Sequence, residues 1–258
     1  MKVYCRMETG LGKEHIEDRV IIENTILAGG VYLNELPDSR MPFTVAVADG
    51  VGGNNAGNMA AHIAVEGLAS FQIPPNAHEA AIRQIINETN ERIVEKSKCD
   101  TRCHKMATTL SGLCHVANKW FLFHVGNTRV YKWQYPYLTQ LTTDHSWTRE
   151  MQLMGIDADE IRNSARAAEI TSCLGNGDIA TADKLQVCDV TAEIASAQML
   201  LLSSDGMHEF IPEDSLEFSL QSIEDVHLYM EQAMAFARQN GSNDDLSMVI
   251  VDFREDPQ

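Results

Sequence analysis

The stretch Phe43–Gly53, FTVAVADGVGG, carries the reading of the fold. Its first six residues are apolar almost throughout and end on Asp49-Gly50, the pattern of a buried strand stopping at a turn. Thr109–Val116 and Trp120–Val125 read the same way, divided by a hairpin turn at Ala117-Asn118-Lys119. So do Thr128–Gln134 after Gly126-Asn127, Met199–Leu202 leading to Asp205-Gly206, and Leu246–Phe253, the last strand. Arg19–Ile22 is expected to be the first strand. Helical spacing of apolar residues is clearest over Gly57–Phe71 (Met59, Ile63, Leu68) and Glu79–Lys96 (Ile82, Ile85, Ile86, Ile93). It recurs over Val226–Arg238 (Val226, Met230, Ala233, Met234, Ala237), and all three stripes are expected to face a core. Between Ser146 and Leu174 an amphipathic segment with Met151, Leu153, Met154 and Ile156 reads as a small helical excursion over the sheets. Consecutive strands outnumber strict β-α-β alternation. The order therefore predicts a layered α+β fold, with helices outside antiparallel sheets.

No repeat, low-complexity tract or long Gly/Pro/Ser linker divides the 258 residues, so one domain over 1–258 is expected. Lys and Arg total 20 against 37 Asp and Glu, a formal net charge of −17. Such a chain is repelled by nucleic acid and by anionic membrane surfaces, so neither is expected as a partner. Hydrophobic residues make up 44 %, enough for a substantial core. The opening MKVYCRMETG has no apolar signal core, and no run approaches the roughly 18 apolar residues of a membrane span. A soluble, cytoplasmic protein is expected, by default a monomer. Six cysteines are too sparse for a disulfide scaffold. Cys99, Cys103 and His104 invite a zinc reading, but no second Cys/His pair of suitable spacing follows. No cysteine has Arg six positions on, which removes a cysteine-nucleophile phosphatase loop.

Acids recur where apolar strands meet turns. Asp49 ends FTVAVADG, Asp205 ends MLLLSSDG, Asp244 and Asp245 precede the last strand, and Glu17-Asp18 precede Arg19–Ile22. One Asp-Gly after a strand is most often just a turn. Several such ends, all held firmly at their bases, make a place to assemble a site. Carboxylates that converge repel one another, and a hard divalent cation removes that cost. Oxygen donors select Mg²⁺ or Mn²⁺, with the Gly50 carbonyl as a further ligand. Two cations sharing one aspartate would activate a water at neutral pH.

With these residues the chain resembles the metal-dependent Ser/Thr protein phosphatases of type 2C, in a compact bacterial form. The similarity runs in order through Glu17-Asp18, Val45–Gly53, MATTL at Met106–Leu110 and HVGNTRVY at His124–Tyr131. It continues through LTTDHS at Leu141–Ser146, LLSSDGMHEF at Leu201–Phe210 and GSNDDLSMVIV at Gly241–Val251. The resemblance implies a four-layer α-β-β-α sandwich, two antiparallel sheets flanked by helices, with two Mg²⁺ or Mn²⁺ ions at one end. It implies Asp49 bridging both metals, the Gly50 carbonyl on the first, and Asp205 and Asp244 on the second. Glu17 and Asp18 would complete the site directly or through water. Asp49, Asp205 and Asp244 are thereby the catalytic set, and a bridging water would attack phosphorus in line. The function implied is hydrolysis of phosphoserine and phosphothreonine in proteins, opposing a Ser/Thr kinase. The alternative is a catalytically weak, phosphatase-like module that binds phosphoproteins.

Departures from the family pattern shape further expectations. Lys13 stands where the family usually has the phosphate-binding Arg, and an ammonium cannot make the bidentate fork. Asn127 replaces an Asp tied to a third metal, which puts that third ion in doubt and suggests a left-handed turn residue. Val51 stands where animal members carry a histidine. Asp245 replaces an Asn and is expected to add negative charge that tightens metal binding. His15, His62, His145 and His208 are expected to be mostly structural or superficial, and Asp157-Ala158-Asp159-Glu160 a helix start. The segment 146–174 matches the family's flap, where substrate choice is expected to reside.

Overall fold

The computed structural model describes residues 1–35, 43–51, 56–70, 79–167, 169–175 and 184–254. Gly52, Gly53, the helix end expected at Phe71, and Ala168 lie outside them. The chain opens with β1 (Lys2–Glu8), β2 (Arg19–Ile22), β3 (Thr25–Leu27), β4 (Gly30–Glu35), β5 (Phe43–Ala48) and β6 (Gly50–Val51). Helices α1 (Ala56–Ser70) and α2 (Glu79–Cys99) follow. Then come β7 (Ala107–Thr108), β8 (Leu110–Val116), β9 (Lys119–Val125), β10 (Arg129–Gln134) and β11 (Tyr137–Gln140). After α3 (Trp147–Leu153) and α4 (Ala158–Arg162) lie β12 (Leu174–Gly175), β13 (Gln186–Asp189), α5 (Thr191–Ile194) and β14 (Met199–Ser203). The chain closes with α6 (Asp205–His208), α7 (Glu213–Leu220), α8 (Val226–Gln239) and β15 (Leu246–Asp252).

Two six-stranded antiparallel sheets result, ordered β11-β10-β14-β15-β1-β4 and β13-β9-β8-β5-β2-β3, with a small third sheet β12-β7-β6. Alternation along each strand sorts its side chains into two layers. In β5, Val45 and Val47 point between the sheets while Ala46 and Ala48 point outward to the helices. In β14, Leu200 and Leu202 face between the sheets, and Met199 and Leu201 face α7 and α8. β5 and β14 are thus covered on both faces, which is why they read as unbroken apolar runs. Three cores stack: α1 and α2 on the second sheet, sheet on sheet, and α7 and α8 on the first. The fold is the α-β-β-α sandwich.

Three expectations need correction. Arg19–Ile22 is the second strand, because KVYCRME at Lys2–Glu8 already pairs along its whole length with β15. That strand alternates buried and half-buried residues, with Val3, Cys5 and Met7 inward. On α1 the core face is Ala60, Ala61, Ala64, Val65 and Leu68, while Met59 is 38 % exposed. Alanines let the helix lie close to the sheet, where a methionine would hold it off. In α3 only Met151 is buried, and Leu153 and Met154 stand in solvent. The β8–β9 turn is tight, with Ala117 and Asn118 both at positive φ, as a two-residue hairpin loop requires. Among the described residues no helix is long and apolar enough to cross a membrane. Cys99 is exposed and Cys103 buried.

Candidate metal centre

The Asp-Gly at the end of β5 and the Asp-Gly after β14 come from different sheets and meet at one end of the sandwich. The backbone of Asp49 is clamped by the two threonines of the MATTL stretch. Its N–H donates to Thr109 Oγ1 at 3.0 Å, and its carbonyl accepts from Thr108 Oγ1 at 2.8 Å. Gly50 and Gly57 are required by contact. A Cβ on Gly57 would lie 2.6 Å from the Gly50 carbonyl oxygen, so glycine alone lets α1 begin there. On the other side, a Cβ on Gly206 would sit 2.1 Å from the Asp245 carbonyl oxygen. The Gly206 carbonyl accepts from Ser242 Oγ at 2.8 Å. Strand ends from both sheets are therefore locked to fixed partners before any side chain is considered.

Lys13, Glu17, Asp49, Gly50, Asp205 and Asp244 line a single cavity of about 580 Å³, with Val51, Ile170, Glu209 and Phe210 in its walls. Asp18 does not line it. That residue is 1 % exposed behind the wall, where its carboxylate accepts from Ser247 Oγ at 2.6 Å. Burial raises the Asp49 carboxyl well above its usual range, and Asp205, Asp18 and Asp244 push it further. Asp205 is raised by desolvation, against the steadying hydrogen bond from Asn127 Nδ2 at 2.9 Å. Desolvation likewise raises Asp18 and Glu17, opposed by Ser247 and by Lys13 respectively. The Lys13 ammonium, 2.6 Å from Asp244 and 3.1 Å from Asp245, is raised by both despite the desolvation that would lower it. This is a cluster of anions short of positive charge.

Asp245 has a structural role besides the charge expected of it. Being 2 % exposed, it accepts from Gly10 N–H and Glu17 N–H, each at 2.7 Å, as well as from Lys13. Both oxygens accept from protein donors, so Asp245 pins the N-terminal loop, and its negative charge also raises Glu17 and Asp18. Asn127 is not the left-handed turn residue expected; Gly126 carries the positive φ. Asn127 is buried and orients Asp205. His145 Nδ1 accepts from Gly126 N–H at 3.1 Å, and buried His208 is bonded to Ser203 Oγ at 2.9 Å. Asp157 caps α4 through the Asp159 N–H at 2.8 Å. Sequence reasoning missed Glu209, one helical turn beyond Asp205. It is an exposed residue whose carboxyl faces the acidic cavity, raised to about 7 by desolvation and then by Asp205.

The donor set suits hard divalent cations. All its groups are oxygens, and Glu17 Oε1 is a buried acceptor with no hydrogen-bond partner. Among the described residues no three His, Cys, Asp or Glu side chains are drawn together closely enough to hold a metal ion by themselves. Residues 37–250 match the family model described as Protein phosphatase 2C. The chain is 27 % identical to the Serine/threonine phosphatase stp of Listeria monocytogenes, over 98 % of this chain and 96 % of that one. The crystal structure of the Mycobacterium tuberculosis serine/threonine phosphatase PstP/Ppp superposes with a TM-score of 0.77 at 22 % identity, covering 99 % and 100 %. The catalytic domain of serine threonine protein phosphatase PstP in complex with 2 manganese ions gives 0.71 at 23 %, covering 98 % and 99 %. The family match spans most of the chain and both strand ends that build the acidic cavity, so this protein belongs to the protein phosphatase 2C family.

Proposed function

We infer that the protein hydrolyses phosphoserine and phosphothreonine in proteins, using two Mg²⁺ or Mn²⁺ ions held by Asp49, Asp205, Asp244, Glu17 and the Gly50 carbonyl. One observation carries this. The cavity is lined by five carboxylates and one ammonium, a formal charge of −4 when all are ionised, which two divalent cations would cancel. The manganese pair in the PstP catalytic domain supports the same count. When bound, such ions lower the pKa of water and neutralise charge on a transferring phosphoryl group.

The chain's own residues set the geometry. Thr108 and Thr109 fix the backbone of Asp49, and Asn127 holds the Asp205 carboxylate, so both aspartates are positioned before substrate arrives. Asp18 stays behind the wall, braced by Ser247, and acts on the site through its charge. Lys13 is the only Lys or Arg among the described lining residues and is the phosphate-binding candidate. Its ammonium already serves Asp244 and Asp245, so it meets a phosphate as one point charge shared among acids. Segment 146–174 contributes Ile170 to the cavity wall and is the proposed seat of substrate choice. The retained acid set argues against a binding module without turnover.

The test is phosphopeptide hydrolysis with manganese. Activity should vanish on chelation and fall at least about a thousandfold in Asp49→Asn and Asp205→Asn. Hydrolysis that survives both substitutions rejects the assigned centre. Phosphoserine in proteins is made by kinases, so the protein is proposed to oppose a Ser/Thr kinase in the cytoplasm, as a monomer. Failure to dephosphorylate an autophosphorylated Ser/Thr kinase, or a dimer in sedimentation, would count against those parts.

A further inference from the structure

On the face opposite the sheet-to-sheet core, α7 and α8 enclose a groove of about 410 Å³. Its lining is mostly apolar: Ile211, Leu216, Phe218, Tyr229, Ala233 and Phe236. That volume is in the range of sites that hold a ligand or several large side chains. Phe218 and Phe236 form its lips, 75 % and 41 % exposed, where a helix pair closing a core would bury them. In its floor the Tyr229 hydroxyl is buried. The neighbouring Ser219 hydroxyl donates to the Leu216 carbonyl at 2.9 Å and eases the burial of the Tyr229 phenol. An apolar floor with one buried phenol and two exposed aromatic lips fits a helical or extended segment inserting side chains.

Charge decides which segment. From residue 211 to residue 237, through α7 and most of α8, the sequence has six Asp or Glu and no Lys or Arg, and Arg254, which donates to the Ile223 carbonyl in the turn between them, is paired with Asp252. Asp214 lines the groove and Glu224 lies in the α7–α8 turn; neither makes a hydrogen bond or ion pair among the described residues. A second copy of this chain would bring the same acids against themselves, and an anionic membrane would be repelled. Ile211 of the groove directly follows Phe210 of the metal-centre cavity, so an occupant would lie beside that cavity. We propose that the α7–α8 groove is a docking site for a cationic amphipathic segment of a partner protein. Its apolar side chains would enter between Phe218 and Phe236, and its Lys or Arg residues would face Asp214 and Glu224.

The experiment uses the full chain and a fluorescent peptide of Leu, Phe and Lys patterned as an amphipathic helix, without phosphate. Its control keeps the apolar face and replaces every Lys with Glu. Fluorescence anisotropy should show the cationic peptide binding at least about tenfold more tightly, with affinity falling as salt rises. Phe218→Ser with Phe236→Ser should weaken it about tenfold, and Asp214→Lys, a surface change that leaves packing alone, should weaken it too. Turnover of a small aryl phosphate should be unchanged in these variants, which separates failure of docking from failure of the metal centre. Equal affinity for both peptides, or indifference to the phenylalanines and to Asp214→Lys, overturns the proposal. So does self-association in sedimentation that the phenylalanine substitutions abolish, or binding to anionic vesicles in place of the peptide.

Discussion

One wall of the acidic cavity is the loop from Thr9 to Asp18; the other belongs to segment 146–174. The first is tied to the sheets at every turn. Gly10 and Glu17 donate to Asp245, Leu11 donates to the Asn243 carbonyl, Arg238 reaches the Thr9 carbonyl, and Ser247 reaches Asp18. These bonds join positions more than 200 residues apart in sequence. The second wall is held mainly to itself. Ser146 bridges Ile170, Thr148 Oγ1 donates to the Ala167 carbonyl at 2.7 Å, and Arg166 stacks 3.8 Å over Trp147. Its ties outward among the described residues gather at its C-terminal end and at Glu150: Lys184 reaches Glu150 at 2.7 Å and Thr171 at 3.2 Å, Thr171 N–H donates to the His145 carbonyl, and Leu174 pairs with Thr108. A wall welded to the core holds groups whose positions the chemistry fixes. A wall that carries its own contacts can change sequence without disturbing them.

The contrast is sharpest at Asp245. Asp245→Ala strands the buried Gly10 N–H and the half-buried Glu17 N–H and removes one of the carboxylates paired with Lys13, so stability should fall by about 3 kcal/mol. Manganese affinity and turnover should fall with it. Chemical denaturation showing a loss below about 1 kcal/mol would mean that the first wall is not pinned as described.

Next in size is His124, at the foot of the second wall, where it packs against His145. His124 Nε2 lies 2.8 Å from the Thr143 carbonyl, which can only accept, so Nε2 carries the proton. Its Nδ1 faces Ser111 Oγ at 2.7 Å. Burial lowers this imidazole to about 4; neighbouring His145 adds to the shift, and the Thr143 carbonyl and Asp144 oppose it. The folded state thus binds a proton less readily than the unfolded chain. His124 therefore costs nothing above pH 6.5, and stability is lost as pH falls from there through about 4. The ceiling is about 3 kcal/mol. His124→Gln should flatten the wild-type decline over that window by up to this amount in pH-dependent melts; parallel curves would refute the assignment.

Smaller effects are expected on the second wall. Arg166→Ala removes one exposed cation–π contact and should cost under about 1 kcal/mol. It should alter KM for protein substrates while leaving small aryl phosphate turnover intact. A fall in both would show that this wall also serves the chemistry. Smallest is Lys13→Arg, where the fork should lower KM for phosphopeptide a few-fold. A KM no lower than wild type would mean that residue 13 serves Asp244 and Asp245 and not substrate.

How much of this was legible depended on whether a signal was local. The strands β5, β8, β9, β14 and β15 announce themselves because each is apolar on both faces. The acids at their ends could be read from the turn glycines beside them. Lys2–Glu8 went unread because its outward positions are Lys2, Tyr4, Arg6 and Glu8, which dilute the apolar run. Met59 looked like a core residue because hydropathy ranks it above alanine, yet the close approach of helix and sheet selects for size. Asp245 and Asn127 could not be assigned, since their partners lie 235, 228 and 78 residues away in sequence. Only folding reveals which neighbour a buried carboxylate or amide serves.

The tight turn at Ala117-Asn118 lies at the far end of the β8–β9 ladder from Thr109 and Gly126. Seven paired positions separate it from the metal-centre end, roughly 20 Å at the usual rise per residue. A reporter peptide or surface tether spliced into this loop would ride on a rigid ribbon without crossing the path of incoming phosphoproteins, which makes it a natural handle for immobilising the working enzyme.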